Sequence, residues 1–285
     1  LVYPPDHPYH HSLIGSMDDL DAASLEDVAA FFSMYYTPDN AVLTIAGDFE
    51  PAAARAFVER HFGSIPRGRG KPSLPDMSLP PRFGGWQREV VEDDVVLPRL
   101  FLAFRSPAMG TPDYYAASVC AAVLGAGKGS RMHRTLVREQ QVASDATAFT
   151  YDLTKGADVL VLDVTALPGT TPDALETAVA ALVDDVHENG VSGAEVARAA
   201  ALIETELVTS LQSAGDRADR LSMFTTYFDE PELVNVQPDL YRGVTAADVT
   251  RFARERLGAD NRVSLLYVPR AARTGAPLEA AEAHA

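Results

Sequence analysis

The residues best suited to chemistry are few. His7, His10 and His11 crowd into one short stretch, and His7 and His11 stand at the outer spacing of the zinc motif H-x-x-E-H, in which two imidazoles hold the metal and the glutamate activates water. His10 occupies the glutamate's slot, so the base is missing, and Pro8 opposes the helix that presents such ligands. A surface loop with histidine and aromatic packing is the simpler reading. His61, His133, His187 and His284 stand singly. Gly125-Ala126-Gly127-Lys128-Gly129 invites comparison with a phosphate-binding loop. It lacks the leading glycine, has glycine where Ser or Thr must follow Lys128, and succeeds a helical pattern instead of a strand. The loop can be a tight turn between helices. Cys120 is the single cysteine, which excludes an intrachain disulfide and a Cys-rich zinc site. These residues supply no catalytic group and no metal ligand set.

Composition narrows the partners. The chain has 285 residues, 47% of them hydrophobic, enough for about two domains with cores of their own. With 24 basic and 40 acidic residues the net charge is -16, and no basic stripe is present to neutralise phosphates, so nucleic acid is not an expected partner. No apolar run reaches the length of a membrane span and the first residues carry no export signal. The compartment stays open, with a slight lean toward the cytoplasm.

The elements that must position these residues include a duplicated one. Residues 24–47 and 245–268 align without a gap and share Asp27/Asp248, Val28/Val249, Phe31/Phe252, Asp39/Asp260, Asn40/Asn261 and Val42/Val263. In each, a Ser or Thr N-cap precedes an Asp three residues on, an apolar stripe begins at i, i+3 spacing, and an Asp-Asn turn leads into a short apolar run expected as a buried strand. A true repeat implies that about 130 residues of the first unit lie upstream of Leu1. The expected organisation is residues 1–63 as the end of a first unit, 64–87 as a Pro- and Gly-rich linker, 88–270 as a complete second unit, and 271–285 as a disordered tail. Within the second unit the patterns predict strands over 88–92, 99–104, 143–151 and 158–165. They predict helices over 113–124, 130–140, 172–188, 192–213 and 216–228. Strand pairs segregated from runs of helices indicate an α+β fold, an antiparallel-rich sheet with helices packed on one face.

Asp6-His7-Pro8-Tyr9 with Ile14-Gly15-Ser16, the segment 35–40 running into Gly47-Asp48-Phe49, and LGAGKGSRMHRTLVR over 124–138 together resemble the pitrilysin, insulinase and mitochondrial-processing-peptidase family of zinc metallopeptidases. The resemblance implies tandem α/β sandwich domains around a peptide chamber. It places zinc in an amino-terminal domain whose H-x-x-E-H this chain lacks, and so implies no cofactor here. It further implies that Gly125, Gly127 and Gly129 of the glycine loop, with Arg138, contact a peptide substrate. Where active relatives carry a Tyr seven residues after that Arg, this chain has Asp145, which cannot donate to an oxyanion when ionised. The partners implied are a peptide and either the missing first-domain portion or a homologous subunit. A noncatalytic scaffold subunit of the same family is the alternative. A truncated first unit should also expose apolar surface and favour association.

Overall fold

The computed structural model describes residues 1–270; the tail expectation for 271–285 lies outside the described residues. Nine α-helices and five strands are present among them. Residues 1–63 contain α1 (Met17–Ala22), α2 (Leu25–Tyr35) and α3 (Pro51–Phe62). The chain continues in the order β1 (Gly85–Asp93), β2 (Arg99–Pro107), α4 (Pro112–Gly125), a π-helical segment (His133–Glu139), β3 (Ala143–Thr150) and β4 (Ala157–Ala166). It closes with α5 (Pro172–Asn189), α6 (Gly193–Ser210), α7 (Ala214–Phe228), α8 (Leu233–Arg242), α9 (Ala246–Arg256) and β5 (Asn261–Pro269).

The sheet runs β1-β5-β2-β4-β3, antiparallel except for the β1–β5 pair. Alternation along the strands sends Leu100, Leu102 and Phe104 of β2 and Leu160, Leu162 and Val164 of β4 to the helical side, where they meet α4, α5, α6 and α9 in the main core. The α5 stripe, Leu175, Val179, Leu182, Val183 and Val186, is buried in full. The opposite phase, Ala103, Val159, Val161 and Val263, forms a small second cluster under Val2, Tyr3, Phe83 and Phe101. Helices therefore cover one face only.

The two aligned segments share their caps and turns in atomic detail. Ser24 and Thr245 both head capping boxes, accepting from the N–H of Asp27 and Asp248 while those carboxylates accept from the cap N–H. At the other end Asn40 Nδ2 donates to Tyr35 O at 2.9 Å, and the aligned Asn261 Nδ2 donates to Arg256 O at 2.8 Å. Burial separates the copies. Val249 and Phe252 are 0% and 2% exposed, whereas Val28 and Phe31 are 46% and 51% exposed.

The strand expected after α2 is corrected. Residues 41–46 are extended but unpaired, with Leu43 58% and Ile45 47% exposed, because no strand among the described residues lies beside them. The second copy pairs along both of its edges. A second correction adds α8, for which the patterns gave no helix. Pro238 interrupts its hydrogen bonds, but the segment is anchored by Gln237 Nε2 donating to Tyr115 OH at 3.1 Å and by Tyr241 packed edge-on to Tyr115.

Candidate functional site

The helix-free sheet face is laid out in rows by strand register. Tyr267, Arg99, Thr165 and Asp145 cross one end. Leu265, Phe101, Asp163 and Thr147 follow, then Val263, Ala103, Val161 and Phe149. Arg99 closes the polar end with a bidentate pair to Asp163, Nε to Oδ1 at 2.8 Å and Nη2 to Oδ2 at 2.5 Å. The apolar rows open into a groove of about 620 Å³, walled on the far side by residues 1–3 and 8–13 and bordered by Tyr151.

Buried polar groups hold that wall. Arg105 lies on the same face of β2, 6% exposed, with its guanidinium 4.4 Å over the Phe83 ring. Its Nη2 donates to Val2 O at 3.0 Å and its Nη1 to Pro80 O at 3.0 Å, so one cation ties the amino-terminal segment and the linker to the sheet. Burial lowers its pKa, and Tyr3 partly offsets that. Tyr3 OH donates to Ala157 O at 3.0 Å, and burial first, then Asp158, raises the phenol well above its ordinary range.

The histidines do not form a metal centre. His7 Nδ1 accepts from Tyr9 N–H at 3.1 Å and Nε2 lies 3.3 Å from Met77 O, which requires the Nε2–H tautomer and occupies both nitrogens. The ring stacks on Tyr3 at 5.0 Å, so the aromatic-packing reading stands, although His7 is buried and not on the surface. His10 Nδ1 is 2.8 Å from Tyr3 O. Among the described residues no three His, Cys, Asp or Glu side chains are grouped to hold a metal. Burial pushes the Cys120 thiol up to about 12, leaving an inert core group.

The glycine loop divides into two parts. Gly125 is buried at the end of α4, where a Cβ would lie 2.0 Å from Ala148 N and 2.7 Å from Thr147 C, so its lack of a side chain lets the helix touch β3. Gly127, at φ 69°, Lys128 and Gly129 are exposed, and their N–H groups have no partner among the described residues. Arg198 Nη1 donates to Ala126 O at 2.9 Å. Arg131 clamps the following segment to α6 through Glu195, Nε to Oε1 at 2.6 Å, and holds that carboxyl down to about 2. Arg138 is exposed on the π-helical segment and makes no ion pair among the described residues. Asp145 is exposed beside the β-bulge of β3. The groove residues Phe101, Leu265, Tyr267, Tyr151 and Tyr3 were not singled out by sequence. A signal existed: β2, β4 and β5 are apolar in both phases, which one covered face does not require.

The described residues thus form an α+β domain with helices on one face of the sheet and an apolar groove on the other. The profile of the peptidase M16 inactive domain matches residues 22–203, and the chain belongs to that family. Among relatives it is 27% identical to the zinc protease PqqE of Helicobacter pylori over 250 residues, 87% of this chain and 56% of that protein. It is 26% identical to an uncharacterized zinc protease of Mycobacterium tuberculosis over 253 residues, 88% and 57% of the two. The chain thus spans little more than half the length of these curated relatives. The crystal structure of a protease from Helicobacter pylori superposes with a TM-score of 0.82 at 25% identity, covering 92% of this chain and 63% of that one. A peptidase M16 inactive domain from Pseudomonas fluorescens shares the fold at a TM-score of 0.77 and 19% identity, covering 95% and 63%. No helix of the described residues is long and apolar enough to cross a membrane.

Proposed function

We propose that the chain is the noncatalytic, carboxy-terminal part of a zinc metalloendopeptidase, and that the helix-free sheet face is a wall of the chamber that holds an extended peptide. The groove between residues 1–13 and the apolar rows of the sheet carries this reading, since it offers a peptide side chains instead of reactive groups. Zinc and the water-activating base are then supplied by a first unit outside this chain. That unit covers α2 as α4 and α5 cover α9, and residues 1–63 are its end, joined by the 64–87 linker. The family resemblance assigns peptide contacts also to the exposed amides of Gly127 and Gly129 and to Arg138, which lie outside the residues lining the groove, while Gly125 sets the loop's position.

The test is binding without cleavage. Leu265, half-buried in β5, lines the groove. Leu265→Glu should weaken binding of a fluorescently labelled apolar peptide about tenfold or more by anisotropy, the loss of one buried aliphatic contact plus a desolvated charge. Tyr151→Ala, at the exposed border, should weaken it less with no change in unfolding temperature. Equal affinity in wild type and Leu265→Glu would contradict the reading.

A further inference from the structure

The β3–β4 hairpin, which borders the groove, turns over residues 151–156 and carries two carboxylates. Asp152, at φ 60°, accepts on Oδ1 from Tyr114 OH at 2.6 Å and from Thr150 Oγ1 at 2.7 Å, and its N–H donates to Asp158 Oδ2 at 3.2 Å. Asp158 is fully buried opposite Ser106 of β2. The remaining Asp158 oxygen, Oδ1, and Ser106 Oγ are both buried without a hydrogen-bond partner among the described residues. No ion pair reaches Asp158 among those residues. The titratable and charged groups around it are Tyr3 and Tyr9 of the amino-terminal segment, Asp152 and Lys155 of the hairpin, Arg105 of β2, and Tyr114 of α4 with Tyr241 of α8 beyond Asp152. Arg105 spends its guanidinium on the carbonyls of Val2, Pro80 and Arg82 and is not paired with Asp158.

The amino-terminal segment and residue 77 grip this same hairpin. Tyr3 OH donates to Ala157 O, the residue before Asp158, and Gly156 passes so close to Met77 O that a Cβ would lie 2.3 Å away. Met77 O is also the partner of His7. We propose that Asp158 is a proton-operated latch: neutral, it keeps the 151–158 hairpin closed and residues 1–10 seated over the end of the groove; ionised, it lets both open.

The chemistry favours the neutral form when closed. Ionised, the carboxylate is a fully buried charge with one oxygen unpartnered and no cation paired to it among the described residues; neutral, that charge is gone. Burial, with Asp152 adding to it, pushes the carboxyl up to about 7 against the opposing N–H groups of Val159, Leu153 and Asp152. Its unfolded value is about 3.9, so the native state keeps a proton the unfolded chain has lost, and stability declines as the pH climbs from there to about 7. The consequence for peptide entry rests on the groove reading; the latch does not.

Hydrogen exchange on the full chain without peptide tests it, so failure of the groove reading leaves the result intact. Corrected for intrinsic rates, protection of the 152–158 amides should fall on the order of tenfold between pH 6 and pH 8.5, with residues 3–10 following. Asp158→Asn should keep high protection at both. Equal wild-type protection at the two pH values, or an unchanged pH response in Asp158→Asn, overturns the latch. Should that variant fold poorly, a carboxyl carbon NMR titration of wild type decides: a midpoint above 6 is expected, and one near the ordinary value of about 4 overturns it.

Discussion

Phe252→Ala is expected to cost about 3–5 kcal/mol of stability, while Phe31→Ala, at the aligned position of the other copy, should change it by less than about 1 kcal/mol. Both phenylalanines occupy the same place in a capped helix of the same length and both follow a valine at i-3. Only their surroundings differ. Phe252, 2% exposed, packs in the main core under α4 and α5, so truncation leaves a cavity that close-packed neighbours fill poorly. Phe31, 51% exposed, touches mainly Phe32, Tyr35 and Tyr36 of its own surface. Denaturant midpoints of the two variants measure the contrast. A comparable loss from Phe31→Ala would mean that something in this chain covers α2 in solution, and concentration dependence would show whether it is a second copy.

Gly125→Ala is expected to destabilise by about 1–3 kcal/mol, toward the upper end, because the added methyl meets backbone at 2.0 Å and backbone cannot swing aside. Either α4 withdraws from β3 or the strand shifts, and both belong to the core. Gly129→Ala meets only the Arg198 side chain, at 3.4 Å, and should be near neutral. Gly127→Ala has space but sits at φ 69°, which costs about 1–2 kcal/mol. Thermal unfolding orders the three. In peptide binding the order should reverse, with Gly129 and Gly127 mattering beyond their effect on stability.

Most of the second unit could be read from sequence because its signals are local. The α5 stripe at i, i+4, i+7, i+8 and i+11, with Thr171 as cap and Gly190 as stop, needs no tertiary information, and the five residues it names are those the structure buries. The failures are all long-range. Residues 41–47 have the composition of a strand, but a strand needs a neighbour, and its partner is absent from the described residues. Pro231 and Pro238 hid α8, whose Leu233, Gln237 and Tyr241 lie on one helical face and gain from packing what the proline removes. The groove was hidden for a similar reason. Tyr3, Tyr151 and Tyr267 are far apart in sequence and meet only after β5 inserts between β1 and β2. The glycines were found by type, but which of them shapes the core and which presents free amides follows from the distance to Ala148.

On the proposed function, this chain carries the peptide wall and not the hydrolytic centre. Zinc content per chain, measured by mass spectrometry after purification in zinc-containing buffer and gel filtration, tests it most directly. No stoichiometric zinc should remain, and a peptide that binds the groove should be recovered intact from the same sample. One tightly held zinc per chain, with cleavage of that peptide, would contradict the account.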